Sequence, residues 1–109
     1  MTRTYLGEFE HLVLLAILRL GDSAYAPAIL EELEQRTGRA PSPGSMYVTL
    51  DRLEEKGLLR SRLADADGDR GGRPRRYVSV TAHGVRELRA SRTAFLKLWR
   101  GLEGVLENS

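Results

Sequence analysis

The stretch Ser42-Pro43-Gly44-Ser45-Met46-Tyr47-Val48-Thr49-Leu50-Asp51-Arg52-Leu53-Glu54-Glu55-Lys56-Gly57 decides how this chain is read. The Ser42 hydroxyl can accept an orphan amide, and Pro43 suits a first helical position. Met46, Leu50 and Leu53 recur at helical spacing as one apolar seam, and Gly57 is a natural stop after Lys56. Ser45, Val48, Arg52 and Glu55 point broadly the other way, with Tyr47 on the flank. Gly44 and Ser45 add little bulk at the entrance. The spacing predicts a helix over 43–56 that buries one narrow stripe and leaves its other face free to meet a partner.

Upstream, Glu8 to Leu20 is apolar around nearly its whole circumference, which predicts a helix covered on several sides, by its own domain or by a partner subunit. His11 within it reads as a boundary histidine. Gly21-Asp22-Ser23 is a turn, and Asp22 or Ser23 can cap a second helix from about Ala24 to Thr37. Its Tyr25, Ile29 and Leu33 are spaced four apart, and Pro27 is tolerated in the first turn. Gly38 to Pro41 turns the chain into the deciding helix.

Downstream the period changes to two. Leu58–Leu63 and Arg75–Val80 read as strands, and the long Gly-rich segment 64–74 between them reads as the mobile tip of a hairpin. Asp65, Asp67 and Asp69 alternate as in a calcium loop. The places that need glycine and glutamate hold Arg70 and Arg76 instead, and the flanks are strands. Thr81 caps a last helix extended to about Leu106. Val85, Leu88, Arg92, Phe95, Trp99, Leu102 and Leu106 follow a three-four spacing, the seam of a helix packed lengthwise on another. At 1.5 Å per residue that helix would be roughly 37 Å long. It would outreach a small domain and leave Trp99 in water, so a dimer is predicted. Arg92 interrupts the seam, and Gly101 and Gly104 weaken its last turns.

Composition narrows the function classes. At 109 residues, with 17 Lys and Arg against 15 Asp and Glu, the chain carries a formal charge of only +2. A basic patch therefore has to come from position. Arg60, Arg62, Arg70, Arg73, Arg75 and Arg76 supply it around the hairpin, with Arg39, Arg52 and Lys56 around the deciding helix. The chain has no cysteine and only two histidines, His11 and His83, on separate helices. No catalytic constellation, metal site or cofactor is expected. The apolar runs are too short to span a membrane, so a soluble, cytoplasmic protein is expected.

Helix, helix, short turn, helix and hairpin is the order of a winged helix-turn-helix, in which the third helix enters the DNA major groove and the hairpin follows the backbone. The fold class is α+β: a winged helix-turn-helix over 1–80 and a long C-terminal dimerisation helix over 81–109. Ser42, Ser45 and the first-turn amides can donate to a phosphate, Tyr47 offers a hydroxyl, and Val48 can meet a thymine methyl. Arg52 suits a phosphate, and Arg70, Arg73 and Arg75 suit the backbone or the minor groove. The alternatives are a packing role for Tyr47 and an ion pair of Arg52 with Glu54 or Glu55. A second class of function is a protein-binding module that uses the same helices without reading DNA.

At these residues the chain resembles the PadR-type transcriptional regulators. The likeness lies in Leu12 to Leu18, Tyr25, the run Ser42-Pro43-Gly44-Ser45-Met46-Tyr47 and the segment Leu50 to Leu59. It continues through Gly72-Arg73-Pro74-Arg75-Arg76-Tyr77 to Val80-Thr81 and Gly84. The resemblance implies a homodimeric repressor on a palindromic operator in double-stranded DNA, with Ser42, Gly44, Ser45, Tyr47 and the wing arginines at DNA-contacting positions. It implies a dimer built by the C-terminal helix against the partner's N-terminal helix. Phe9 and Leu12 would serve on one side, with Val85, Leu88, Phe95, Trp99, Leu102 and Leu106 on the other. In some members of the smaller branch of the family an aromatic residue of the last helix lines an apolar cavity at the dimer centre for planar ligands. Trp99 and Phe95 stand where they could take a small aromatic or apolar effector, or simply pack the dimer core. Family members often carry glycine and proline where this chain has Ala24 and Val48.

Overall fold

The computed structural model describes residues 6–39, 41–64 and 74–107. Helix α1 (Glu8–Leu20) begins where the Glu10 carboxylate reaches back to the Gly7 amide at 3.0 Å. A single 3-10 turn, Gly21–Ser23, leads to α2 (Ala26–Thr37) and then to α3 (Pro43–Glu55). Strands β1 (Leu59–Ala64) and β2 (Arg75–Val80) pair antiparallel, with Leu59 opposite Val80 and Ala64 opposite Arg75. Helix α4 (Ala82–Trp99) and a short α5 (Glu103–Glu107) complete the described chain.

The core forms where the apolar stripes meet. Val13, Leu14 and Ile17 of α1, Ile29 and Leu33 of α2, and Met46, Leu50 and Leu53 of α3 are all buried. Leu58, Leu59 and Val78 close it from the hairpin, and Leu88 closes it from α4. The predicted seam of the third helix is the inner face of α3, widened by Thr49.

Three expectations need correction. The second helix starts at Ala26, not Ala24, and neither Asp22 nor Ser23 caps it. Ala24 is instead buried and extended, and its carbonyl accepts the Val78 amide at 2.9 Å, so the chain before α2 lies along the hairpin. The first wing strand is Leu59–Ala64, one residue later than the apolar run suggested.

The long C-terminal helix is two helices. The 18 residues of α4 make it about 27 Å long, and it ends where Gly101 takes a φ of +88° that side chains rarely adopt. The Leu102 amide turns back to the Trp99 carbonyl at 2.8 Å, and α5 restarts from there.

The seam of α4 also runs differently. Ser91 takes the buried place, while Arg92 and every described residue beyond it are exposed. A straight helix drifts from a seven-residue repeat, so an inward position inferred by strict three-four counting can be one residue out.

Gly84 lets α4 rest directly on the start of the hairpin. A Cβ there would stand 2.4 Å from the Leu58 carbonyl oxygen and 2.6 Å from Val80 Cγ1. Thr81 holds the same joint, accepting the Gly84 amide at 3.0 Å and donating its hydroxyl to the Gly57 carbonyl at 2.7 Å. Gly84→Ala is expected to lower the unfolding free energy by about 1–3 kcal/mol, despite the better helix propensity of alanine, because backbone must move. Urea denaturation followed by circular dichroism measures this, and a stability equal to wild type would show that the joint yields freely.

Candidate nucleic-acid interface

The exposed side of α3 begins at its cap. Ser42 Oγ accepts the Ser45 amide at 3.1 Å and donates to Ser45 Oγ at 3.0 Å, so the Ser45 hydroxyl proton is left to point outward. Ser42, Gly44 and Ser45 are all exposed, and the nearest atom to a Cβ at Gly44 would be Ser42 Oγ at 4.0 Å. Among the described residues the Gly44 amide has no backbone or side-chain partner, which leaves a donor at a positive helix end.

Further along, Tyr47 and Val48 are 49% and 56% exposed, so neither is a core residue. Arg52 is exposed and makes no ion pair among the described residues. The alternatives of a packed Tyr47 and of an Arg52 paired with Glu54 or Glu55 are therefore not what the fold adopts. Val48, Asp51, Arg52, Glu54 and Glu55 together line a shallow open concavity on this side.

The arginines counted around the helix and hairpin divide sharply. Arg70 and Arg73 lie outside the described residues. Arg75 stands over the Tyr25 ring at 5.2 Å, and Arg62 over the Tyr77 ring at 4.7 Å. The two tyrosines meet at 5.6 Å between centroids, so a pair of rings is flanked by a guanidinium at each end. Arg76 points to the other side, toward α3, where it pairs with Asp51 and Glu54. Arg39 and Lys56 are engaged by Glu8 and Glu10 of α1. Of the cations that position suggested for DNA, five make contacts within the protein, three to carboxylates and two to tyrosine rings. Charge clustering in sequence carried no signal for that.

The match to a family model for "transcriptional regulator PadR-like family" covers residues 14–90, from the core of α1 to the middle of α4. The chain belongs to the PadR-like family of transcriptional regulators. A PadR family transcriptional regulator from Eggerthella lenta is 30% identical, with a TM-score of 0.68 over 94% of this chain and 88% of that one. A PadR-like transcriptional regulator from Bacillus cereus is 21% identical, with a TM-score of 0.71 over 90% of each. A PadR family transcription regulator from Clostridium difficile is 24% identical, with a TM-score of 0.65 over 92% of this chain and 96% of that one. No curated protein matches the chain.

In this PadR-like regulator the remaining candidate residues fall into two groups. Phe9, Leu12 and Val85 are half-buried, and Leu88 is 6% exposed inside its own protomer, which corrects its assignment to a free seam. Phe95, Trp99, Leu102 and Leu106 are exposed, as are Leu96, Leu98 and Val105 beside them. His11 joins the groups: its Nδ1 lies 3.0 Å from Ser91 Oγ, and its ring meets Phe95 edge-on. Burial pushes the His11 imidazole below its ordinary value. Among the described residues no cluster of His, Asp or Glu is placed to hold a metal ion, and no helix is long and apolar enough to cross a membrane.

The C-terminal end of α3 is anchored to α1. Lys56 Nζ donates to Glu10 Oε2 at 2.8 Å, while Glu10 Oε1 holds the Gly7 amide. Burial alone would raise the Glu10 carboxyl. The bonds from Lys56 and Gly7, with the charges of Lys56 and Arg52, hold it below the ordinary value instead. A carboxyl lowered in the folded state stabilises the protein at neutral pH, and that contribution is lost as pH falls through the lowered folded value. Lys56→Met is expected to lower stability at neutral pH by about 1–2 kcal/mol, allowing for the part-exposed lysine. Unfolding curves of the two proteins, taken down through the carboxylate range, should converge in acid. Parallel curves at every pH would show that the loss has another origin.

Proposed function

We propose that this regulator is a homodimeric repressor that binds a palindromic operator in double-stranded DNA through α3 and the wing. The observation that carries the reading is the outward face of α3. Ser45, Tyr47, Val48 and Arg52 stand exposed along one helix of a winged helix-turn-helix, and Arg52 makes no close ion pair among the described residues, although its charge reaches Glu10. Ser42, Gly44 and Ser45 would hold a phosphate at the helix end. Val48 would meet a base edge, and Tyr47 and Arg52 the backbone. Arg70, Arg73 and Arg75 would carry the wing along the duplex.

Residues 1–80 form the DNA-binding unit in this reading and 81–109 the dimerisation segment, whose first turns also complete the winged body. The exposed row Phe95, Trp99, Leu102 and Leu106 supports a second copy as its cover, with Phe9 and Leu12 of the partner helix on the other side. Phe95 and Trp99 are the residues a small aromatic or apolar effector would touch. It would act by changing the separation of two α3 helices, which have to match grooves roughly 34 Å apart. The setting is the cytoplasm, and no enzymatic activity is proposed.

Sedimentation of the free protein, together with fluorescence-anisotropy titration of duplex DNA over a salt series, tests this. A dimer with sequence-selective, salt-dependent binding is expected. Arg52→Gln should then reduce the slope of log affinity against log salt by about 0.9 per lost contact, or roughly two for a dimer. A monomer that binds no duplex at any salt would instead favour a protein-binding module using the same apolar row.

A further inference from the structure

We propose that Arg76 is a positioning residue for DNA binding: it clamps the wing to the recognition helix and masks two of that helix's carboxylates. The inference deepens the operator-binding reading and rests on it for its effect on DNA. Its structural half stands separately.

Arg76 and Arg75 are neighbours on β2, so their side chains leave opposite faces of the strand. Arg75 goes to the tyrosine stack, and Arg76 goes to α3. The Arg76 guanidinium spends its donors on three partners. Nε donates to Ser61 Oγ at 3.0 Å, one terminal nitrogen donates to Asp51 Oδ1 at 2.8 Å, and the other donates to Glu54 Oε1 at 3.3 Å. Ser61, on β1, donates a hydrogen bond from its own hydroxyl to Glu54 Oε1. Arg76, Ser61 and Glu54 thus close a ring across β2, β1 and α3, with Asp51 bound to Arg76 beside it, and only 27% of the Arg76 side chain remains exposed.

Isolated surface ion pairs contribute little, but a forked arginine in a network of several partners is the arrangement in which geometry and charge reinforce each other. A planar fork also fixes direction, which a lysine ammonium does not.

The location gives the clamp its consequence. Asp51 and Glu54 line the same concavity as Val48 and Arg52, on the side that would meet phosphates. Left unpaired, the two carboxylates would repel the duplex beside the Arg52 contact. With Arg76 across them the local charge is reduced, and the hairpin is held at a set angle to α3. Three of the five Arg76 N–H groups are committed to these partners in this arrangement. It acts through the residues it holds.

The test compares wild type with Arg76→Gln, Arg76→Lys and the double variant Asp51→Asn/Glu54→Gln. In the DNA-free protein, hydrogen exchange at amides of 60–64 and 75–78 should be about tenfold faster in Arg76→Gln, with α1 and α2 unchanged. The double variant should show the same loss, which keeps the test intact should Arg76→Gln fail to fold. Arg76→Lys should recover part of the protection.

Anisotropy is then read against a random-sequence duplex pool and against the duplex that wild type selects from it. Arg76→Gln should weaken the selected duplex about tenfold and the pool less, with the salt slope of wild type retained, because no phosphate contact is lost. Unchanged wing exchange in both Arg76→Gln and the double variant would overturn the clamp. A slope lowered by about 0.9 per protomer would overturn the positioning role and make Arg76 a direct phosphate contact. If wild type binds neither probe while wing exchange still responds, the operator reading fails and the clamp remains as a joint of the fold.

Discussion

The burial of Met46, Leu50 and Leu53 under one side of α3 is the interaction on which the rest of this protein depends. Each such side chain contributes about 1.5–3 kcal/mol when taken out of water, and all three belong to one buried cluster with residues of α1, α2 and the start of the hairpin. A helix offered to DNA cannot be gripped from both sides. The seam is therefore narrow, and the remaining control over the helix comes from its ends. Ser42 fixes the entrance, Lys56 ties the exit to Glu10 of α1, and Arg76 ties the outer turn to the wing. These contacts lie around the helix and leave Ser45, Tyr47 and Val48 unobstructed.

Charge is used in the same way. A chain of formal charge +2 has little cationic surplus, and the fold commits much of it. Arg39, Lys56 and Arg76 face glutamates or aspartates, and Arg62 and Arg75 lie over tyrosine rings. Stacking does not remove a cation from service, since a guanidinium over a ring keeps its N–H groups at the edge. Pairing largely does. On the operator reading, affinity then comes from fewer cations than the sequence holds, each with a more restricted direction.

The legibility of these features in the sequence follows from their range. Helix α3 was readable to within a residue because its cap, its proline and its stop are local signals, and its seam has an unambiguous period. The β2 strand and the Thr81 cap were readable for the same reason. The start of α2 was not, because Ala24 is claimed by a long-range bond from Val78 that no local pattern announces. Breaking the last helix at Gly101 needed a preference between a propensity cost and a dimer seam, and the seam argument overstated continuity. Leu88 and Arg92 were misread because a counted repeat cannot say where a helix leaves its own domain. Arg76 looked like one more wing arginine. Its partners stand 15 to 25 residues away in the chain, in a register that only the folded hairpin sets.

Helix α4 carries two environments along one axis. Its first half belongs to the winged body through Gly84, Leu88 and Ser91, while its second half exposes Phe95, Leu98 and Trp99. The boundary falls where His11 meets both Ser91 and Phe95. A second copy packed on the exposed half would therefore be mechanically continuous with the body that carries α3, with no linker between them. Any change in how such halves pack would be passed along a rigid helix to Gly84, and from there to the Leu58 backbone at the exit of the recognition helix. That joint has no spare volume, since even a methyl group would collide with the Leu58 carbonyl. A tight joint of this kind transmits a tilt of α4 as a tilt of the winged body and does not absorb it. On the dimer reading, the separation of the two α3 helices would then be set by the packing of the C-terminal segments.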